Sequence, residues 1–172
     1  MPDNIEFQEI IRDIAENETV LQMKNYKHHM NKTCYEHCID VSYYSYIISK
    51  KFGLDYKESA RAGMLHDLFL YNWKGNRIRE NGKLHGFSHP KVALKNASEL
   101  FELSKLEKDI ILKHMWPITL AFPRYSESYI VSLVDKFCAI KEYILPWHKK
   151  IKFNKLYRYS YMFFALLLFR IN

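Results

Sequence analysis

Glycine is scarce in this chain: five occur in 172 residues, where average usage of roughly 7% would place about twelve. The shortage disfavours all-β architectures built on glycine turns. It also leaves no glycine-rich phosphate cradle, since neither G-x-G-x-x-G nor G-x-x-x-x-G-K-[ST] can be written anywhere in the sequence. Any phosphate handled here is held by side chains, metal or helix ends. Cysteine is sparse too. Cys34, Cys38 and Cys138 cannot all pair within one chain and none forms C-x-x-C, so reduced thiols and a cytoplasmic location are expected. The start MPDNIEF lacks a basic region followed by an apolar one, and no signal peptide is read from it. The longest apolar run, Tyr161 to Phe169, reaches about 14 Å of a roughly 30 Å hydrocarbon core, so no membrane span is expected.

Histidine and aromatic residues are plentiful, with 8 His, 11 Phe, 13 Tyr and 3 Trp in an otherwise ordinary globular composition, 48% hydrophobic and 26% charged. The net charge of +7 suits an anionic partner without naming one. It is partly a property of the tail, because residues 141–172 carry seven bases and one acid while residues 1–25 carry six acids and two bases. No repeat or Pro/Gly/Ser linker divides the chain, so residues 1–172 are read as one domain.

Apolar spacing is helical nearly throughout. Helices are expected near 4–16 and 18–29, from Thr33 to Lys51 before Gly53, and from Asp55 as N-cap to about Tyr71. Residues 72–87, holding Gly75, Gly82 and Gly86, read as a long loop. Ser88 and Pro90 open a helix to about Leu103, and Ser104 opens the next with a capping box to Glu107, ending around Trp116 before Pro117. Ser126 to Ile144 is helical, Pro146 breaks it, and 154–170 form a last helix. The expected class is all-α.

On these helices His37 shares a face with Val41, Tyr44 and Ile48, and His66 lies over the small residues Ser59, Ala62 and Gly63, where another helix can approach closely. Asp67 follows at once. His114 lies on the side of Ile110 and Ile111, and Asp135 at the edge of a stripe of Ile130, Leu133, Val134, Phe137 and Cys138. A carboxylate there is costly to bury unless paired or bound to metal. Singly, each has a bland structural explanation. Jointly, four histidines and two aspartates on successive helices ask for one shared partner, and imidazole plus carboxylate is the ligand set of a divalent transition metal.

The order His37, then His66-Asp67 within "GMLHD", then Asp135 resembles the HD superfamily of metal-dependent phosphohydrolases, over about residues 33–143. The resemblance implies a helical bundle in which these four residues hold one divalent metal. The segments "SHPKVA" and "LKHMWP" look like the positions of two further ligands in two-metal members, which implies that His89 and His114 hold a second ion and that Asp67 bridges the pair. One or two ions of Fe, Mn, Ni, Co or Zn are expected, since nitrogen-rich ligation disfavours Mg. The chemistry that follows is attack of an activated water on a phosphoester, with a small anionic phosphoester or nucleotide as substrate and no nucleic acid polymer.

The sequence also departs from family patterns. After His66-Asp67 it reads Leu68-Phe69-Leu70-Tyr71 where many members carry a Gly and a Lys, and the tandem histidines and Gly-Tyr-Pro of the cyclic dinucleotide branch are absent around His114. Lys74, Arg77, Arg79 and Lys83 either clamp an anionic substrate or form a solvated loop. His85 reads as a substrate contact, as a proton donor to the leaving group beside Asp67, or as a ligand in place of His89; the Ser88 and Pro90 helix start favours His89. Trp116, Pro117 and Phe122 line a pocket or, the better reading, pack in the core. Cys34, His37 and Cys38 match no standard zinc spacing. His28, His29 and His148 have no partner legible in the sequence. The basic and apolar tail reads as a buried or homodimer-forming helix rather than a membrane anchor. A di-iron oxygenase and a silent metal-binding regulatory protein are the competing functions.

Overall fold

The computed structural model describes residues 2–28, 32–72, 78–79 and 83–148, with the backbone alone at 78–79, 83–84, 143 and 145–148. The helices are α1 (Ile5–Ala15), α2 (Glu18–Leu21) continued by a 3₁₀ turn (Gln22–Asn25), α3 (Cys34–Lys51), α4 (Tyr56–Leu65), α5 (His85–Leu100), α6 (Lys105–Lys113) and α7 (Ser126–His148). Between α4 and α5 lies a two-stranded antiparallel ribbon, β1 (Ile78–Arg79) and β2 (Lys83–Leu84), with Ile78 opposite Leu84. The architecture is all-α apart from this ribbon. The expected helix over 154–170 lies outside the described residues. Among the described residues no helix is long and apolar enough to cross a membrane.

Caps set the helix starts. Asn4, Asn17 and Asp55 accept from backbone N–H groups of the first turns of α1, α2 and α4, and the pairs Thr33/Glu36 and Ser104/Glu107 close full capping boxes on α3 and α6. Each side-chain cap is worth about 1 kcal/mol. Gly53, at φ 67°, follows α3 in the left-handed conformation that terminates helices.

Helix α3 is the hub, packed against α4, α7 and the 3₁₀ turn, while α6 packs on α4, α5 and α7. The α3–α4 seam is built from small residues. Ser42 Oγ donates to Ala60 O at 2.6 Å, Ser49 Oγ to Ser59 Oγ at 2.9 Å, and a Cβ on Gly63 would meet Ser42 Cα at 2.9 Å. The close approach expected of the Gly63 face is therefore made, with α3 as partner. α1 closes the other side of α4 with Phe7, Ile11 and Ile14 fully buried at helical spacing.

Several boundaries differ from expectation, each for a local reason. The helix expected over 18–29 stops at Asn25 because the chain reverses: Lys27 pairs with Thr33, and Cys34 N–H donates to Tyr26 O at 2.8 Å. α4 stops at Leu65 rather than near Tyr71, since Leu68 and Phe69 turn into the core and Asn96 Nδ2 donates to Leu68 O at 2.9 Å. α5 begins at His85, so Pro90 lies inside the helix and Ser88 Oγ donates back to His85 O instead of capping. α6 ends at Lys113, and α7 runs through Pro146 to His148. On α7, Leu133 and Phe137 are 56% and 43% exposed, and the inward face is Val131, Val134, Asp135, Cys138 and Glu142.

Candidate metal centre

Four imidazoles reach one buried point from four different helix ends. His37 lies in the first turn of α3 and His89 in the first turns of α5. His66 and His114 are the C-cap residues of α4 and α6. A helix C-terminus carries orphan carbonyls and negative dipole charge, and both properties favour a cation nearby.

In each ring the outer nitrogen faces an acceptor. Nδ1 of His66 donates to Gly63 O at 2.7 Å, Nδ1 of His89 to His85 O at 2.8 Å, and Nδ1 of His114 to Ile111 O at 2.8 Å. Nδ1 of His37 lies 3.0 Å from Glu142 Oε1. A carbonyl only accepts, so the Nδ1–H tautomer is selected and the Nε2 lone pair is directed inward, the arrangement typical of ligating histidines.

The inner nitrogens meet two aspartates. His37 Nε2 is 3.1 Å and His66 Nε2 3.6 Å from Asp135 Oδ1. Asp67 presents Oδ2 at 3.7 Å from His66 Nε2, and Oδ1 at 3.2 Å and 3.5 Å from Nε2 of His89 and His114. Around these aspartates two donor groups form, His37 with His66 and Asp135, and Asp67 with His89 and His114, and a third, His28 with His37 and Glu142, adjoins them, each with ligand atoms within 4.8 Å of one another. Asp67 stands between the first two. All six of their residues are buried.

This donor set fits divalent metal. His66 Nε2 and Asp67 Oδ1 are buried without a hydrogen-bond partner, a costly arrangement unless something else satisfies them. Nε2 of His89 and Nε2 of His114 are 2.8 Å apart. With both Nδ1 protons committed to carbonyls, that contact sets lone pair against lone pair and calls for a cation. Imidazole nitrogen with carboxylate oxygen suits Fe, Mn, Co, Ni or Zn.

Electrostatics follow from this crowding. Burial works against the charged forms of Asp67 and Asp135, but the neighbouring histidines outweigh it and hold both carboxyls well below the usual range. Burial likewise opposes a charge on His37 and His66, yet the carboxylates raise both, His66 strongly. His114 is lowered to about 3 by burial and by His89 and His66, so it is neutral and ready to ligate. Burial raises the thiols of Cys34 and Cys38, the latter well above its ordinary value, and pushes Cys138 up to about 12. These are protonated core thiols, and Cys34 Sγ simply donates to Asp67 O at 3.2 Å.

The remaining sequence candidates scatter. His85 stacks on His89 with ring centroids 4.6 Å apart, and its Nδ1 is 3.2 Å from Tyr71 Oη, so it flanks the cluster and belongs to none of the donor groups. Lys74 and Arg77 lie outside the described residues, and Arg79 and Lys83 are described only as strand backbone. Pro117 and Phe122 are exposed rather than core, while Trp116 packs edge-on against Tyr129 at 5.0 Å.

Two residues that the sequence reading assigned to no site belong here. Glu142, seven residues after Asp135 on the same face of α7, is buried and holds His37; burial would raise it, but the facing His28 and His37 rings outweigh that and lower it to about 2. His28, in the reversal before α3, is buried with Nε2 3.0 Å from Asp67 Oδ2. The i+7 spacing was a usable signal for Glu142, whereas His28 lies outside any periodic element.

No curated protein and no solved structure matches the chain. The family model of the HD domain matches residues 34–140, which spans α3 through most of α7 and includes all six converging residues. With its histidines and aspartates gathered in one helical core, the chain belongs to the HD domain family, whose members are mostly metal-dependent hydrolases.

Proposed function

We propose that the protein is a metal-dependent phosphohydrolase acting in the cytoplasm on a nucleotide or another small phosphoester. The observation that carries this reading is the convergence of four Nε2 atoms on Asp67 and Asp135, with the His89–His114 contact in need of a cation. His37, His66, Asp67 and Asp135 would hold one ion, and Asp67, His89 and His114 the second. When bound, such ions supply Lewis-acid charge and lower the pKa of water from 15.7 to about 7.

The chain's own residues do the rest. The carbonyls of Gly63, His85 and Ile111, with the Glu142 carboxylate, lock the four rings so that no imidazole has to reorient during turnover. Asp67 joins the two halves of the centre. His85, beside His89, gives a proton to the leaving oxygen, and Lys74, Arg77, Arg79 and Lys83 bind the phosphoryl oxygens of the substrate, the arginines bidentately. Three free, buried cysteines fit a reducing compartment.

The test is a panel of nucleotides, dinucleotides and simple phosphoesters, incubated with protein loaded with Mn, Co, Ni or Fe. Hydrolysis by wild type and its loss in Asp67→Asn is the expected result. Metal-loaded wild type that cleaves no member of the panel overturns the proposal, and oxygen consumption by the iron form would turn it towards an oxygenase.

A further inference from the structure

We propose that His28 is a further ligand of this centre, a fifth imidazole on the side of His37, His66 and Asp135; the inference rests on the metal-centre reading above. His28 is 7% exposed, and its ring lies on that of His37 with centroids 3.9 Å apart and planes 24° from parallel. The two rings share one orientation. Their Nδ1 atoms face the two oxygens of Glu142, at 3.0 Å from Oε1 for His37 and 3.6 Å from Oε2 for His28. Their Nε2 atoms face the two aspartates, at 3.1 Å from Asp135 Oδ1 for His37 and 3.0 Å from Asp67 Oδ2 for His28.

A neutral imidazole carries one N–H. With the proton towards Glu142, the Nε2 lone pair of His28 confronts the Asp67 carboxylate, a repulsive pairing that becomes attractive when both atoms donate to one cation. With the proton towards Asp67, the repulsion moves to Glu142. His28, His37 and Glu142 also form a group whose potential ligand atoms lie within 4.8 Å of one another. The backbone delivers the ring firmly: His28 N–H donates to Lys32 O at 3.0 Å, and Lys27 pairs with Thr33. Both His28 and Glu142 lie outside residues 34–140, the part of the chain that the family model matches.

The experiment loads the full chain with Co(II) and compares wild type with His28→Gln and His28→Gly, folding being checked by circular dichroism. Ion content, affinity in chelator competition and the visible Co(II) absorption are read. The expected result is a fall in affinity of about tenfold or more, a changed Co(II) spectrum in both variants, and return of the wild-type spectrum when free imidazole is added to His28→Gly. Wild-type affinity and spectrum in folded variants overturn the inference. So does weaker binding with an unchanged spectrum and no imidazole rescue, which leaves His28 a hydrogen-bond donor to Asp67. Wild type that binds no Co(II) fails the metal-centre reading itself, a separate result.

Discussion

Nε2 of His89 and Nε2 of His114 stand 2.8 Å apart while each ring gives its Nδ1 proton to a backbone carbonyl. Two lone pairs at that distance are a standing electrostatic cost that a bound cation converts into a gain. Bound metal is therefore expected to stabilise the fold. At a free ion concentration about 100-fold above Kd the gain is about 2.7 kcal/mol, roughly 5 to 11 °C in Tm for a chain of this size. Thermal melts with Mn(II) or with chelator measure it, and His114→Ala, which leaves His37, His66 and Asp135 in place, is expected to remove part of the metal-dependent rise.

The raised His37 and His66 give the centre a pH dependence of definite sign. In the metal-free protein their protonated forms contribute stability that is fully present below the unfolded pKa of about 6.5 and is lost as pH rises through the folded values. Ligation requires those protons to leave. Metal binding near neutral pH is thus expected to release protons, and the Tm gap between loaded and metal-free protein to widen from about pH 6 to about pH 8. Calorimetry in buffers of different ionisation enthalpy counts the protons. His114, already neutral at a pKa of about 3, contributes none.

Glu142→Gln removes the charged acceptor beside His37 Nδ1 without changing the side chain's shape. Loss of such a partner typically lowers metal affinity by about 10- to 100-fold. Chelator competition on the folded variant measures the change, and wild-type affinity would show that Glu142 does not orient His37.

Gly63 and Gly53 differ in what an added methyl meets. At Gly63 it meets the Ser42 backbone at 2.9 Å, so Gly63→Ala is expected to cost about 1 to 3 kcal/mol and, by moving the carbonyl that holds His66, to weaken metal binding. At Gly53 nothing lies within 4 Å but φ is +67°, so Gly53→Ala costs about 1 kcal/mol and leaves metal binding unchanged. Urea denaturation and metal titration of the two variants separate packing at the α3–α4 seam from backbone strain far from the centre.

Much of this was legible because it is periodic. His37 and His66 fall on helix faces that spacing alone turns inward, the capping box at Ser104 is a local pattern, and the Gly63 face announces a close helix contact. Hydrophobicity misdirected the reading of α7: it favoured Leu133 and Phe137, yet the helix turns Asp135 and Glu142 inward, because carboxylates that meet histidines are stabilised there. The ends of α4 and α6 were read too long. At both, the chain leaves the helix at the histidine itself, and tertiary demands outweigh propensity. His28 was illegible for a plainer reason. It sits in a reversal stabilised by backbone pairs, where no face or period says which way a side chain points.

The most direct test of the two-ion centre is elemental analysis of the chain after reconstitution with Mn(II) or Co(II) and removal of free ion. The arrangement of His37, His66, Asp67, His89, His114 and Asp135 predicts two ions per chain in wild type, and loss of the second in His89→Ala or His114→Ala. Wild type that retains no ion, with the same stability as His66→Ala and Asp67→Ala, would contradict it.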